Sequence, residues 1–292
     1  MGEHPEDQIR NLGIWRGKLD ISPLSGGMTN RNFRVTDDRG TAVVRLGDDI
    51  PVHMISRANE LAASLAAEAA GISPKVLHYA PGMLVMEFLE AKTLREEDVN
   101  NPDMLGRIIP LIRRCHLEMP KYFRGPTYIF WVFQVIQQYA GVLKDGESDY
   151  LKDLPLLLSR AERLEAAAGP YTIVFGHNDL LAANFLDDGD RLWLIDWDYA
   201  GFNSPLFDLG GLASNNLLGE SREISLLEAY YEQPVDEALW RRYQAMKCAS
   251  LLRETMWSMV SEIHSTIGFD YKAYTAQNRA RFESAYAHFD GI

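Results

Sequence analysis

The spacing of apolar residues changes about a third of the way along this chain, and that change leaves few architectures open. Up to the stretch Glu87–Thr93 the apolar runs are short, β-branched and bounded by turn residues. NFRVTDD and TAVVRLG around an Arg-Gly turn predict a hairpin, and KVLHYAPGMLVMEFLE predicts two further strands about Pro81-Gly82. Between them SRANELAASLAAEAAG is alanine-rich, full of strong helix formers and closed by a glycine, so it predicts a helix. From about Asn101 the spacing becomes helical, through DMLGRIIPLIRRCHLEM, YIFWVFQVIQQYAGVLKD and LPLLLSRAERLEAAAG, with Pro110 marking a kink or break in the first. After one interruption, helical spacing returns from DLGGLASNN to the end. The expectation is an α+β fold in two lobes. A small antiparallel-sheet lobe with one main helix occupies 1–88, a larger and mostly helical lobe occupies 89–292, and a cleft separates them.

A formal net charge of −12 argues against nucleic acid, which needs clustered Lys and Arg; it permits a cationic amine as a substrate without requiring one. No apolar run is long enough to cross a bilayer, and the polar start MGEHPEDQIRNL lacks the order of a signal peptide. Cys115 and Cys248 both fall in helix-like apolar stretches, where free buried thiols are the better reading than a disulfide. A cytoplasmic protein is expected.

The interruption in the helical half, TIVFGHNDLLAANFLDDGDRLWLIDWDYAG, carries the densest chemistry. NFL and LWLIDW read as two short strands across a DDGDR turn. Asp179 and Asn184 lie five residues apart before them, and Asp196 ends the second strand. Singly, each is an ordinary turn or strand-end residue. Together they supply what phosphoryl transfer from a nucleotide needs: a carboxylate to orient and deprotonate a hydroxyl, and an amide oxygen with a second carboxylate to hold Mg²⁺. Upstream, Ser25-Gly26-Gly27-Met28-Thr29-Asn30 sits between candidate strands; paired glycines let backbone approach phosphates, and Thr29 and Asn30 add polar groups. Alone it is a weak signal.

GHNDLLAANF, LIDWDYAG and FDLG together resemble the choline/ethanolamine kinase family, within the protein-kinase-like group that includes aminoglycoside phosphotransferases. LSGGMTNRNFRV, VVRLGDD and GMLVMEFLEAKTL extend the likeness across the first third. The resemblance implies an ATP- and Mg²⁺-dependent kinase of a small cationic amino alcohol, choline first and ethanolamine second; thiamine, an aminoglycoside or another amine is the alternative acceptor, and a non-catalytic nucleotide-binding protein the remote one. It makes Asp179 the base, Asn184 and Asp196 the magnesium ligands and Asp208 a buried acid steadying the loop. Arg45 would meet the α- and β-phosphates, held by Glu60, although Arg57 one turn earlier is a rival partner for Glu60. Glu87 to Leu89 would form the interlobe linker, offering backbone groups to adenine.

The acceptor site is expected from Asp198 and Tyr199 just past the magnesium acid, and from Trp257 in a late helix, since aromatic faces and carboxylates hold an ammonium. Trp257 also fits a plain core position. Where the family commonly has another tryptophan one turn earlier, this chain has Glu254, which either binds the cation or lies at the surface.

Overall fold

Alternating apolar and polar residues in the first third put one sheet face against a small core and turn the other toward the helical half. The computed structural model describes residues 4–24 and 30–292. Helix α1 (Pro5–Arg10) precedes strands β1 (Asp20–Leu24), β2 (Arg31–Asp37), β3 (Gly40–Leu46), β4 (Val76–Ala80) and β5 (Met83–Glu87). These form an antiparallel sheet of order β1-β2-β3-β5-β4. Phe33, Val35, Ala42, Val44, Leu46 and Val85 share one buried cluster with Ile9 of α1. Strand residues alternate between faces, so Arg45, between Val44 and Leu46, projects from the other side. Helix α2 (Arg57–Ala69) crosses there, and its Ala63, Ala66 and Ala67 join the large core of the helical half. Their small side chains allow the close approach.

The second part contains α3 (Glu96–Val99), α4 (Pro102–Tyr122), α5 (Val132–Asp145), α6 (Leu154–Ala168), α7 (Pro205–Asn215), α8 (Glu220–Tyr231), α9 (Glu237–His264) and α10 (Tyr271–Asp290). Helix α9 packs against α5, α6, α7 and α10, so it is buried on nearly every side along its middle. The interruption between α6 and α7 forms strands β7 (Val174–Gly176), β8 (Phe185–Asp187), β9 (Leu192–Leu194) and β10 (Gly201–Asn203). Strands β8 and β9 make the expected hairpin, and β6 (Lys92–Thr93) adds to its edge. Strand β7 pairs with β10. These two- and three-residue strands, like α1 and β1, are too short or irregular to leave a periodic signal.

Pro110 does not break α4, which runs continuously to Tyr122. The proline sits on the exposed face, four residues after a glycine, so the missing hydrogen bond opens toward water. Cys115 and Cys248 are buried free thiols. Among the described residues, no helix is long and apolar enough to cross a membrane.

Candidate active site

The loop between β7 and β8 is fixed by one buried acid. Asp208, in the first turn of α7, accepts hydrogen bonds from the backbone N–H groups of His177 (2.8 Å) and Asn178 (2.7 Å). Its Oδ2 also lies 2.9 Å from His116 Nε2, whose Nδ1 is 2.7 Å from the Tyr230 hydroxyl. Burial works to raise the Asp208 carboxyl, but the hydrogen bonds from His116 and His177 hold it below the usual range. Tyr230 thus supports this chain of contacts.

Asn178 has a φ of 66°, in the left-handed region that asparagine tolerates better than most residues. Its side chain holds the bend: Nδ2 donates to the Tyr199 carbonyl (2.9 Å) and Oδ1 accepts from Asn203 Nδ2 (3.0 Å). The next residue, Asp179, is half-buried. Asn184 Nδ2 donates to the Asp179 carbonyl at 2.9 Å, and the Ile195 amide donates to the Asn184 carbonyl at 3.0 Å, so the loop lies against the end of β9. Asp196 follows at a φ of 70°, so this site holds two of the six described non-glycine residues with positive φ. Strain of this kind concentrates at functional sites.

Asp179 carries the most telling electrostatics. Burial pushes its carboxyl up to about 8; the Arg253 guanidinium opposes this, while Glu254, Asp196 and Asp198 reinforce it. A carboxyl raised this far takes up a proton near neutrality, as a general base should.

Five charged side chains close the interlobe face. Arg45 pairs with Glu60 (2.7 Å), Asp196 (2.7 Å) and Asp198 (3.3 Å). Arg57 pairs with Glu60 (2.7 Å) and Asp198 (2.7 Å). The two rival partners of Glu60 are therefore both satisfied, one on each carboxylate oxygen. Asp196 remains below its ordinary range because Arg45 outweighs its burial. Asn30 Nδ2 donates to Asp198 Oδ2 at 3.2 Å. Asp198, expected against the acceptor, instead lies in this ion cluster. Asp198 and Tyr199 are the central residues of a turn closed by the Ala200 amide donating to the Trp197 carbonyl at 3.2 Å, and their side chains leave it in different directions, Asp198 to the arginines and Tyr199 to Trp257. Gly26, Gly27 and Thr29 lie outside the described residues. Glu87 closes β5, its amide donating to the Lys75 carbonyl at 2.8 Å, and Leu89 follows within the connection to β6.

Residues 21–214 match the model of the family described as choline/ethanolamine kinase. The chain belongs to that family. It is accordingly a small-molecule kinase, and membership implies use of ATP. Protein LicA of Haemophilus influenzae is 27% identical over 262 residues, covering 84% of this chain and 75% of the relative. A probable ethanolamine kinase of Arabidopsis thaliana is 27% identical over 304 residues, covering 92% and 80%. A choline/ethanolamine kinase family protein from Mesorhizobium loti superposes with a TM-score of 0.77 at 28% identity, over 96% of this chain and 94% of that one. Spectinomycin phosphotransferase shares the fold, with a TM-score of 0.66 at 13% identity over 100% of both chains.

Of the residues expected at the acceptor, this choline/ethanolamine kinase family member brings Tyr199, Trp257 and Glu254 together. Trp257 Nε1 donates to the Tyr199 hydroxyl at 2.8 Å, and its ring stacks on His53 at 5.0 Å. His53 is pushed down to about 3 by burial and by the charge of Arg253, which keeps it neutral. Trp257 is buried in the core of the helical half, and with His53, Ser261 and Tyr271 it also lines a cavity of about 1270 Å³ whose lining does not include Asp179, Tyr199 or Glu254. Glu254 is not a surface residue: Oε2 accepts from Arg253 (2.8 Å) and Oε1 from the Tyr274 hydroxyl (2.8 Å). Arg253, absent from the sequence-based candidates, lies 4.3 Å above the Tyr199 ring. A charged residue amid the apolar run CASLLRETMW was the available signal.

Proposed function

We propose that the chain catalyses ATP- and Mg²⁺-dependent phosphorylation of the hydroxyl of a small amino alcohol, in the cleft between a nucleotide lobe at 1–88 and an acceptor lobe at 89–292. The observation that carries this reading is the geometry of the loop, in which the 2.9 Å bond from Asn184 to the Asp179 carbonyl and the 3.0 Å bond from the Ile195 amide to the Asn184 carbonyl hold Asp179 and Asn184 beside Asp196 and its partner Arg45. Asp179 takes the acceptor's proton, and Arg45, anchored by Glu60, meets the nucleotide phosphates. The backbone of Glu87 to Leu89 borders the adenine.

The donor chemistry suits a hard cation. Asn184 commits its Nδ2 to the Asp179 carbonyl, which leaves the amide oxygen as its ligating group, and Asp196 supplies a carboxylate kept ionised by Arg45. Among the described residues no cluster of three or more His, Cys, Asp or Glu is placed to hold a metal. A two-residue oxygen site shared with phosphates is the usual setting for Mg²⁺. When bound, the ion would neutralise charge on the transferring phosphoryl group.

Choline was the first expectation for the acceptor. The pocket favours an amine that keeps N–H bonds, such as ethanolamine, because Arg253 covers one face of Tyr199 and Glu254 offers carboxylate oxygens to an ammonium. A panel of amines in a coupled ADP-release assay tests this. Turnover of ethanolamine ahead of choline supports it; transfer confined to a larger amine such as thiamine or an aminoglycoside overturns it.

A further inference from the structure

A short loop between β3 and α2 reaches across to the helical half and starts a line of contacts that leads to Glu254. Ile50 and Ile55 exchange backbone hydrogen bonds (3.0 and 3.1 Å) across residues 51–54, a single tight turn closed by Met54 at a φ of 60°. The turn presents His53 to α9. His53 is 5% exposed; its ring stacks on Trp257 at 5.0 Å with 29° between the planes, and Tyr139 of α5 packs edge-on against it at 5.8 Å. Ser261 gives its one hydroxyl hydrogen to the Trp257 carbonyl (2.9 Å), so its oxygen accepts from His53 Nε2–H (3.1 Å). Trp257 Nε1 then donates to the Tyr199 hydroxyl (2.8 Å), the Tyr199 ring carries the Arg253 guanidinium at 4.3 Å, and Arg253 Nη1 donates to Glu254 Oε2 at 2.8 Å. Each member up to Arg253 is less than a tenth exposed, whereas 19% of the Glu254 side chain is open to solvent. The line ends on a carboxylate that a ligand can reach.

We infer that His53 is a positioning residue for the acceptor: it fixes Trp257 and, through Tyr199 and Arg253, the place of the Glu254 carboxylate. This rests on the proposed role of Glu254 in holding the acceptor's ammonium. Close-packed side chains pass a displacement on instead of absorbing it. Removing the imidazole leaves one face of Trp257 without a partner, lets the indole tilt toward the gap, and draws its Nε1 away from Tyr199. The same stretch of chain serves the other substrate through different residues. Arg57 and Glu60, the next charged residues after His53, brace Arg45 and its cluster, and between them Asn59 Nδ2 donates to the Ala200 carbonyl at 2.8 Å. Three consecutive residues of the helical half are thus tied to 53–60: Asp198 by Arg57, Tyr199 by His53 through Trp257, and Ala200 by Asn59. The two ends of this stretch have separate tasks. His53 acts toward the acceptor, whereas Arg57 and Glu60 act toward the nucleotide.

The test uses the full chain with ATP and Mg²⁺ in a coupled ADP-release assay, with ethanolamine as acceptor. Loss of an interaction made equally before and during transfer appears in KM. His53→Ala should therefore raise the KM for ethanolamine about tenfold or more, with kcat changed less than about threefold and calorimetric ATP affinity less than about twofold. His53→Phe restores a ring on Trp257 without the Nε2 donor, and should bring the KM back to within about threefold of the unmodified protein. Trp257→Phe removes the donor to Tyr199 and cuts the same line one contact further along. Its KM should rise by a similar factor, and the double variant with His53→Ala should exceed the worse single by no more than about twofold. If His53→Ala does not fold, Trp257→Phe and His53→Phe carry the comparison, and an unchanged KM in Trp257→Phe overturns the inference. So do KM effects that multiply in the double variant, and a His53→Ala protein that loses kcat and ATP affinity along with KM, the signature of a residue that merely supports the fold. Each of these leaves the kinase reading standing. ATP binding without transfer to ethanolamine, choline or another amine removes the amino-alcohol reading, and the inference with it.

Discussion

Replacing Asp198 with asparagine keeps the side chain's shape and removes one buried negative charge from the interlobe cluster. The charge is lost from the 2.7 Å bond from Arg57 and the 3.3 Å approach of Arg45, both on Oδ1, and with the amide NH₂ in place of Oδ2 the 3.2 Å bond from Asn30 is lost outright. Hydrogen bonds to charged groups contribute roughly 1.5–3 kcal/mol, and breaking a buried pair outright costs about 3–5. Asparagine retains one acceptor oxygen and both arginines keep Glu60, so we expect about 2–3 kcal/mol of lost stability. It should appear as a lower urea midpoint at an unchanged slope. The kinetic effect should fall on the nucleotide. With its brace weakened Arg45 shifts, and a misplacement on the order of 1 Å costs about 100-fold in kcat/KM for ATP. The KM for the acceptor should change by less than about threefold, as expected for a residue that does not touch it. A raised acceptor KM, with stability and ATP kinetics unchanged, would refute the reasoning and return Asp198 to the acceptor pocket.

Asp179→Ala should lower kcat by about 10²–10⁴ with nucleotide affinity nearly intact, measured by steady-state kinetics and equilibrium ATP binding; normal turnover would remove Asp179 from its role. The base must be ionised to act, so kcat/KM should rise with pH along an acid limb set above the ordinary carboxylate range. In the nucleotide-free protein burial pushes Asp179 up to about 8, and Glu254→Gln, by deleting a charge that raises it, should shift the limb to lower pH. Because the folded protein holds this proton through a window where the unfolded chain has lost it, stability should fall as pH climbs from about 4 to 8 at this site; proton uptake on folding checks the sign. A Cβ at Gly176 would sit 2.7 Å from Asn178 Oδ1 and 3.2 Å from Asp208 Oδ2, so Gly176→Ala should cost about 1–3 kcal/mol by overpacking and reduce activity with it.

What was legible in the sequence was local. The spacing of Asp179, Asn184 and Asp196 could be read because a loop of this kind is held largely by its own backbone and by strands only a few residues away. The hairpin of β2 and β3 and the helix after it follow from period and turn chemistry alone. The role of Asp198 was not legible, because its partners Arg57 and Asn30 lie 141 and 168 residues away, and no spacing rule says which way a turn residue's side chain leaves. Arg253 escaped for a related reason. A helix buried on nearly every side shows little amphipathic contrast, so a single charge within it announces that a partner exists without naming it.

The cluster's charges sharpen what the cleft must do during a reaction cycle. Two guanidinium groups, Arg45 and Arg57, face two nearly inaccessible carboxylates, Glu60 and Asp198, so those four balance without help. Asp196 is the fifth member and differs in one respect: its side chain is 27% exposed, against 3% for each of the other two acids. It is therefore the acid of the cluster that an incoming cation can reach without dismantling the buried four. Under the proposed reaction, Asp196 would hold the metal and Arg45 would meet the nucleotide phosphates, so the 2.7 Å ion pair between them would give way to one new partner for each. Glu60 and Arg57 keep Arg45 in place through that exchange, which is why the support sits on the side of the guanidinium turned away from Asp196. A nucleotide without metal would give Arg45 its new partner and leave Asp196 with none. Its affinity should fall when Mg²⁺ is chelated, and Asp196→Asn should abolish that dependence; equal affinity with and without Mg²⁺ in the unmodified protein would count against the exchange.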